Sequence, residues 1–70
     1  MLVLGRKAGQ GIRIGLAEGV GQATTVGELF SNGPIEIVVT SIDGSMVRLG
    51  IAADERFKIL RSELLDKSER

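Results

Sequence analysis

The stretch that decides the fold runs Ile35-Glu36-Ile37-Val38-Val39-Thr40-Ser41-Ile42, then Asp43-Gly44, then Ser45-Met46-Val47-Arg48-Leu49-Gly50-Ile51-Ala52. The first eight residues are rich in β-branched side chains, which pack well on a pleated surface and lose rotamer freedom in a helix. The last eight alternate, with Arg48 between apolar positions, the period of a strand with one buried face. Asp-Gly between two such runs is a strong hairpin signal, because both central residues of a type I′ turn require φ > 0. The spacing predicts an antiparallel hairpin whose second strand turns Val47, Leu49 and Ile51 to the core and Arg48 to solvent.

Toward the N-terminus, residues 1–7 also alternate, with Leu2, Leu4 and Arg6 on one side and Val3, Gly5 and Lys7 on the other. Ala8-Gly9-Gln10-Gly11 reads as a turn, since Gly supplies the positive φ that tight turns demand. Ile12, Ile14 and Leu16 then alternate with Arg13 and Gly15, a second strand. Residues 17–34 break the pattern. Thr25-Val26-Gly27-Glu28 has the form of a capping box, and Ser31-Asn32-Gly33-Pro34 is a stop. One or two helical turns are expected near 26–31. Past the hairpin, 53–56 reads as a loop and Phe57-Lys58-Ile59-Leu60 as a short fifth strand. Residues 62–68 read as a helix capped by Ser62, with Glu63→Lys67 and Asp66→Arg70 as favourable pairs four residues apart. The expectation is a mainly β chain of five strands, with one short helix inserted between the second and third and another at the C-terminus.

Seventy residues make a single domain, 1–70. A chain of this length buries only about 60% of the surface its unfolded form exposes, so a lone core is marginal. Small folds add disulfides, a metal or a partner subunit. There is no Cys and no His, which removes the disulfide and the usual zinc site and leaves self-association. An apolar opening strand left unpaired would also invite aggregation, which pairing with a second chain relieves. The absence of Cys fits a reducing compartment. Met1-Leu2-Val3-Leu4-Gly5-Arg6-Lys7 puts apolar residues before charge, the reverse of a secretory signal, and no apolar run approaches the ~20 residues of a membrane helix. A cytoplasmic, soluble homodimer is expected.

Catalysis is not expected. Without His, Cys, Tyr or Trp, acid–base work would fall to carboxylates or lysines, and Glu18, Glu28, Glu36 and Asp43 are scattered over loop, helix, strand and turn. No serine has a His partner. Gly9-Gln10-Gly11 does not match a dinucleotide or phosphate loop, and a strand follows it where those motifs need a helix. No metal or organic cofactor is expected. Net charge is zero, which argues against binding driven by overall positive charge. Arg6, Lys7 and Arg13 stand without an acid in residues 1–15, and the last 25 residues carry the other six bases, so a local basic patch would draw on both ends of the chain. Phe30 and Phe57 are the only aromatics. Both read as core or interface residues, so any RNA contact would lean on arginines, backbone groups and aliphatic edges.

The opening from Met1 to Gly15 resembles the start of the bacterial carbon storage regulator family, M-L-I-L-x-R-K-x-G-E-x-I-x-I-G. The stretch Gly44 to Ala53 is similar to that family's G-x-x-V-R-I-G-I-x-A run, and Leu60-Arg61-Ser62-Glu63-Leu64 to its x-R-x-E-[IL] ending. The resemblance covers about two-thirds of the chain in two blocks. It implies an intertwined homodimeric β-barrel or sandwich that binds GGA segments in mRNA leaders and controls translation or message stability. Small regulatory RNAs, and a protein antagonist, are the further partners it implies. The implied RNA-binding residues are Leu4, Arg6 and Lys7 from the first strand and Ile59, Leu60, Arg61 and Glu63 from the end, with backbone groups of the loop 53–57. Arg61 stands at the family's most important arginine position. A guanidinium there pairs bidentately with phosphate or a guanine edge, whereas the plain structural role is a salt bridge at a helix start. For Arg6 the plain role is an exposed strand arginine that solubilises an edge.

The chain departs from the family pattern at four places. The segment 16–34 is longer than the family's connection, Asp54 replaces a Pro, Leu60 a His, and Gly5 a Thr or Ser. Asp54 puts an acid near the implied RNA edge. The competing reading is a dimeric β scaffold for protein–protein interaction, with weak or no RNA binding.

Overall fold

The structure is a computed structural model, and it describes residues 1–63. In chain order the elements are β1 (Leu2–Arg6), β2 (Ile12–Leu16), α1 (Val26–Leu29), β3 (Glu36–Asp43), β4 (Met46–Ala52) and β5 (Phe57–Arg61). The chain is mainly β, as its patterning predicts, with every expected strand present to within a residue or two. Ser62 and Glu63 form a turn, and the remainder of the helix expected over 62–68 lies outside the described residues. Among the described residues no helix is long and apolar enough to cross a membrane.

The strands form two antiparallel sheets, one ordered β1-β4-β3 and the other β2-β5. The hairpin joins Asp43 to Met46 as the last pair. Its central residues are therefore Gly44 and Ser45, one position later than the sequence pattern suggests. Gly44 has φ +61°, and among the described residues no non-glycine residue has positive φ. That sign pattern, with Gly at the first central position, belongs to a type II′ turn and corrects the type I′ expectation. Both turn types match the strand twist, so the hairpin survives the change. One residue, Thr40, is skipped by the β3–β4 pairing between Val39 and Ser41. Such a bulge bends its strand and increases the local twist.

Directly opposed residues of antiparallel strands share a face. Three cross-sheet rows follow from the register: Leu2, Ile51 and Ile37; Leu4, Leu49 and Val39; Arg6, Val47 and Ile42. The β2–β5 sheet covers the β1 side of this face. Leu4, Ile51 and Ile59 form the sealed centre, with Leu2, Ile12, Ile35 and Ala53 packed round them. Fully burying such side chains contributes about 1.5–3 kcal/mol each. On the opposite face Gly50 makes room for its neighbours. A Cβ there would sit 2.7 Å from Met1 Sδ and 3.1 Å from Thr40 Cγ2.

The helix α1 is short but well capped. Thr25 has extended backbone, and its hydroxyl accepts from the Glu28 N–H at 3.1 Å, the first half of the capping box. Leu29 is its buried residue. Phe30 lies against Phe57 with ring centroids 5.3 Å apart, which seats the insertion on the start of β5.

Candidate functional site

Leu4 and Arg6 point to the same face of β1, and β5 carries Ile59, Leu60 and Arg61 toward the chain's end. Leu4, Ile59 and Leu60 are all buried. In the single chain these three are core side chains. Lys7 is exposed just past β1. Its N–H donates to Gln10 Oε1, and the Gln10 N–H returns to its carbonyl, closing the turn in which Gly9 takes φ +86°.

Arg6 is not an exposed edge arginine. It is 8% exposed. Its Nε donates to the Gly5 carbonyl at 2.6 Å and its Nη1 to the Gly11 carbonyl at 3.1 Å. The two terminal nitrogens donate to the two oxygens of Glu63 at 2.8 and 3.0 Å. This is the bidentate fork that arginine makes with a carboxylate. A buried guanidinium requires such saturation, because an unpaired charge away from water is strongly destabilising. The hydrogen bonds from Arg6 hold the Glu63 carboxyl down to about 2, helped by the Glu63 backbone N–H and by the charges of Arg6 and Arg61.

Ser62 completes the corner. Its N–H donates to the Gly11 carbonyl, and its hydroxyl accepts from the Gly11 N–H. Together with the Ile12–Arg61 pair that ends the β2–β5 ladder, this brings Arg6, Gly11, Arg61 and Glu63 into one cluster. Arg61 is half-buried there. The cluster joins the two terminal stretches whose motifs resemble the carbon storage regulators, and it offers arginines in place of stacking aromatics. Phe57 is buried.

A second polar cluster was not anticipated from the sequence. The Asp54 carboxylate is only 6% exposed and accepts from Arg56 Nε at 2.9 Å, from the Arg56 N–H at 2.9 Å and from Asn32 Nδ2 at 2.6 Å. Its carboxyl is held well below the usual range, first by the Arg56 side chain, then by the Arg56 N–H and Asn32. Arg56 Nη2 reaches on to the Glu28 carbonyl at 2.7 Å and Ser31 Oγ at 3.3 Å. The local signal was an Asp two residues before an Arg, a spacing that lets the carboxylate accept the Arg backbone N–H as in an Asx-turn. The reach to α1 had no local signal. Beside this cluster lies an open cleft with Glu36, Asp54 and Glu55 on its walls. Its three carboxylates disfavour a phosphate there. Among the described residues no group of three or more Asp or Glu is placed to hold a metal ion.

Comparison with known proteins bears on the whole chain. The sequence profile of the CsrA family, described as a global regulator protein family, matches residues 1–70. The translational regulator CsrA of Thermosipho africanus (strain TCF52B) is 37% identical over 67 residues, which cover 96% of this chain and 68% of the relative. That of Thermosipho melanesiensis (strain DSM 12029 / CIP 104789 / BI429) is 34% identical over 67 residues, covering 96% of this chain and 67% of the relative. No solved structure matches it. With the profile spanning the chain from end to end, and the two motif blocks folded onto one corner, this chain belongs to the CsrA family of global regulators.

Proposed function

We propose that this protein is an RNA-binding translational regulator that acts as a cytoplasmic homodimer and recognises GGA segments in mRNA leaders. Small RNAs carrying the same segment, or a protein antagonist, would compete for it. The observation that carries the reading is the corner where Arg6, Arg61 and Glu63 converge from opposite ends of the chain. Arg6 is spent on Glu63 and on backbone carbonyls, so its role is to lock the end of β1 to the segment after β5. Glu63 takes the same structural role. Arg61 is the residue assigned to the RNA, where a guanidinium reads a guanine edge or a phosphate. Lys7 adds a charge to the phosphate contacts, and Leu4, Ile59 and Leu60 hold the strands whose backbone faces the nucleotides.

The dimer is supported by β3. All eight of its residues are exposed, Ile37, Val39 and Ile42 by 54%, 59% and 70%. The strand stands at the sheet edge. A long, apolar edge that no other described strand pairs calls for a covering strand or a second copy.

The test is a gel-shift titration with a short RNA hairpin carrying GGA in its loop, beside a probe with that triplet changed. Selective binding by the wild type, lost by tenfold or more in Arg61→Ala, is the expected result. A folded, dimeric protein that binds neither probe overturns the RNA reading and favours a protein-binding scaffold.

A further inference from the structure

We infer that Arg56 is a positioning residue: with Asp54 as its counter-ion, it bolts the inserted helix to the loop between β4 and β5 and so fixes that loop for selective RNA recognition. The inference rests on the RNA reading above and on the part in reading bases that the family resemblance implies for backbone groups of residues 53–57.

The geometry runs through one guanidinium. Arg56 Nε and Nη2 both donate to Asp54, at 2.9 and 3.2 Å, and Nη2 also donates to the Glu28 carbonyl in α1 and to Ser31 just after it. Asn32 approaches Asp54 from the helix side. The loop backbone is held by the same two residues. The Arg56 N–H donates to Asp54 Oδ1, the Phe57 N–H to the Asp54 carbonyl, and the Ala17 N–H to the Arg56 carbonyl at the exit of β2. Phe30 against Phe57 adds an apolar contact next to the bolt. Three segments distant in sequence, the end of β2, the end of α1 and the entry to β5, therefore meet at residues 54–57.

A lysine in place of Arg56 keeps the charge but has no fork to serve Asp54 and α1 together. This separates positioning from simple attraction to phosphate. Asp54 separates them too. As a lone acid beside the RNA it would repel phosphate, and its removal would tighten binding. As the anchor of the bolt, its conversion to Asn weakens recognition instead.

The experiment measures amide hydrogen exchange and RNA selectivity in wild type, Arg56→Lys and Asp54→Asn, each with its thermal midpoint. The expected result is exchange at the Arg56 and Phe57 amides faster by roughly tenfold in Arg56→Lys. Selectivity for GGA over the changed triplet should fall by a similar factor in both variants, while the weak, salt-dependent binding to the changed probe stays near wild type. Unchanged exchange in Arg56→Lys overturns the bolt. Faster exchange with unchanged selectivity overturns its link to RNA, and tighter GGA binding by Asp54→Asn does the same. Should Arg56→Lys fail to fold, Asp54→Asn, which keeps an acceptor in place, carries both arms. A wild type that binds neither probe marks failure of the RNA reading itself, and the exchange arm then still decides whether the bolt exists.

Discussion

Ile51 and Ile37 are cross-strand partners on one face of one sheet, yet Ile51 is fully buried and Ile37 is 54% exposed. The same gradient runs along the next row, from Leu4 at 2% to Val39 at 59%. In the third row it runs from Arg6 at 8% to Ile42 at 70%. The β1 side of the face is roofed by β2 and β5, and the β3 side is bare. Composition does not explain the gradient, since the exposed half is the wholly apolar one and the buried half carries Arg6. Coverage does. Over residues 1–63 the chain leaves the β3 side of the three-stranded sheet uncovered.

The comparison is sharpened most by truncating each half. Ile51→Ala leaves a cavity at the sealed centre and should cost about 2–5 kcal/mol in urea unfolding. Ile37→Ala on the bare half should cost under about 1 kcal/mol in the isolated chain and show its effect in the concentration dependence of unfolding. Equal losses at the two sites, independent of protein concentration, would mean the bare half is no interface.

Val39→Glu tests the bare half directly. A charge placed at the centre of an apolar contact should weaken self-association by about 2 kcal/mol or more, roughly thirtyfold in the dissociation constant. Sedimentation over a dilution series reads it. A wild type that stays monomeric at all concentrations would break the dimer proposal without touching the fold.

Gly44→Ala bears on the turn that holds the two halves in register. Its φ of +61° is unfavourable for an L side chain, so a loss of about 1 kcal/mol is expected in thermal or urea unfolding. Glu63→Gln at the closed edge of the roofed half removes the charge that faces the buried Arg6 guanidinium, and its effect is read against pH. Glu63 titrates at about 2 when folded, against an ordinary 4.5. A depressed carboxylate contributes stability that is complete above the ordinary value and is lost as pH falls through the window from 4.5 to about 2. Glu63→Gln should flatten the acid limb of stability in that window, more at low salt than at high, because the glutamate end of the pair is exposed to screening. An acid limb identical to that of the wild type would show that the pair contributes nothing measurable.

Much of the fold was legible because the signals are local. Alternation placed β1, β2 and β4 and β-branched composition placed β3, and the inward set Val47, Leu49 and Ile51 with Arg48 outward agrees with their burial. Thr25 and Glu28 announced the helix start. The turn type was misread because Asp-Gly and Gly-Ser both satisfy a two-residue hairpin, and only the final register decides which pair is central. The bulge at Thr40 had no signal in a run of similar β-branched residues. Arg6 and Glu63 were singled out by motif, but their pairing was not. Asp54 read as an unwelcome charge until Arg56 and Asn32 were found against it.

What the sequence determined by itself is the order of the elements, the face β4 turns inward and the family, since period, turn chemistry and motif are properties of neighbouring residues. Tertiary structure alone decided which half of the sheet face is roofed. It also decided that Arg6 is buried against a carboxylate 57 residues away, and that Arg56 ties the inserted helix to the entry of β5. The physical reason is common to all three. Burial and ion pairing depend on which distant segments share a volume, and a one-dimensional pattern records what a residue prefers to touch without recording what arrives to touch it.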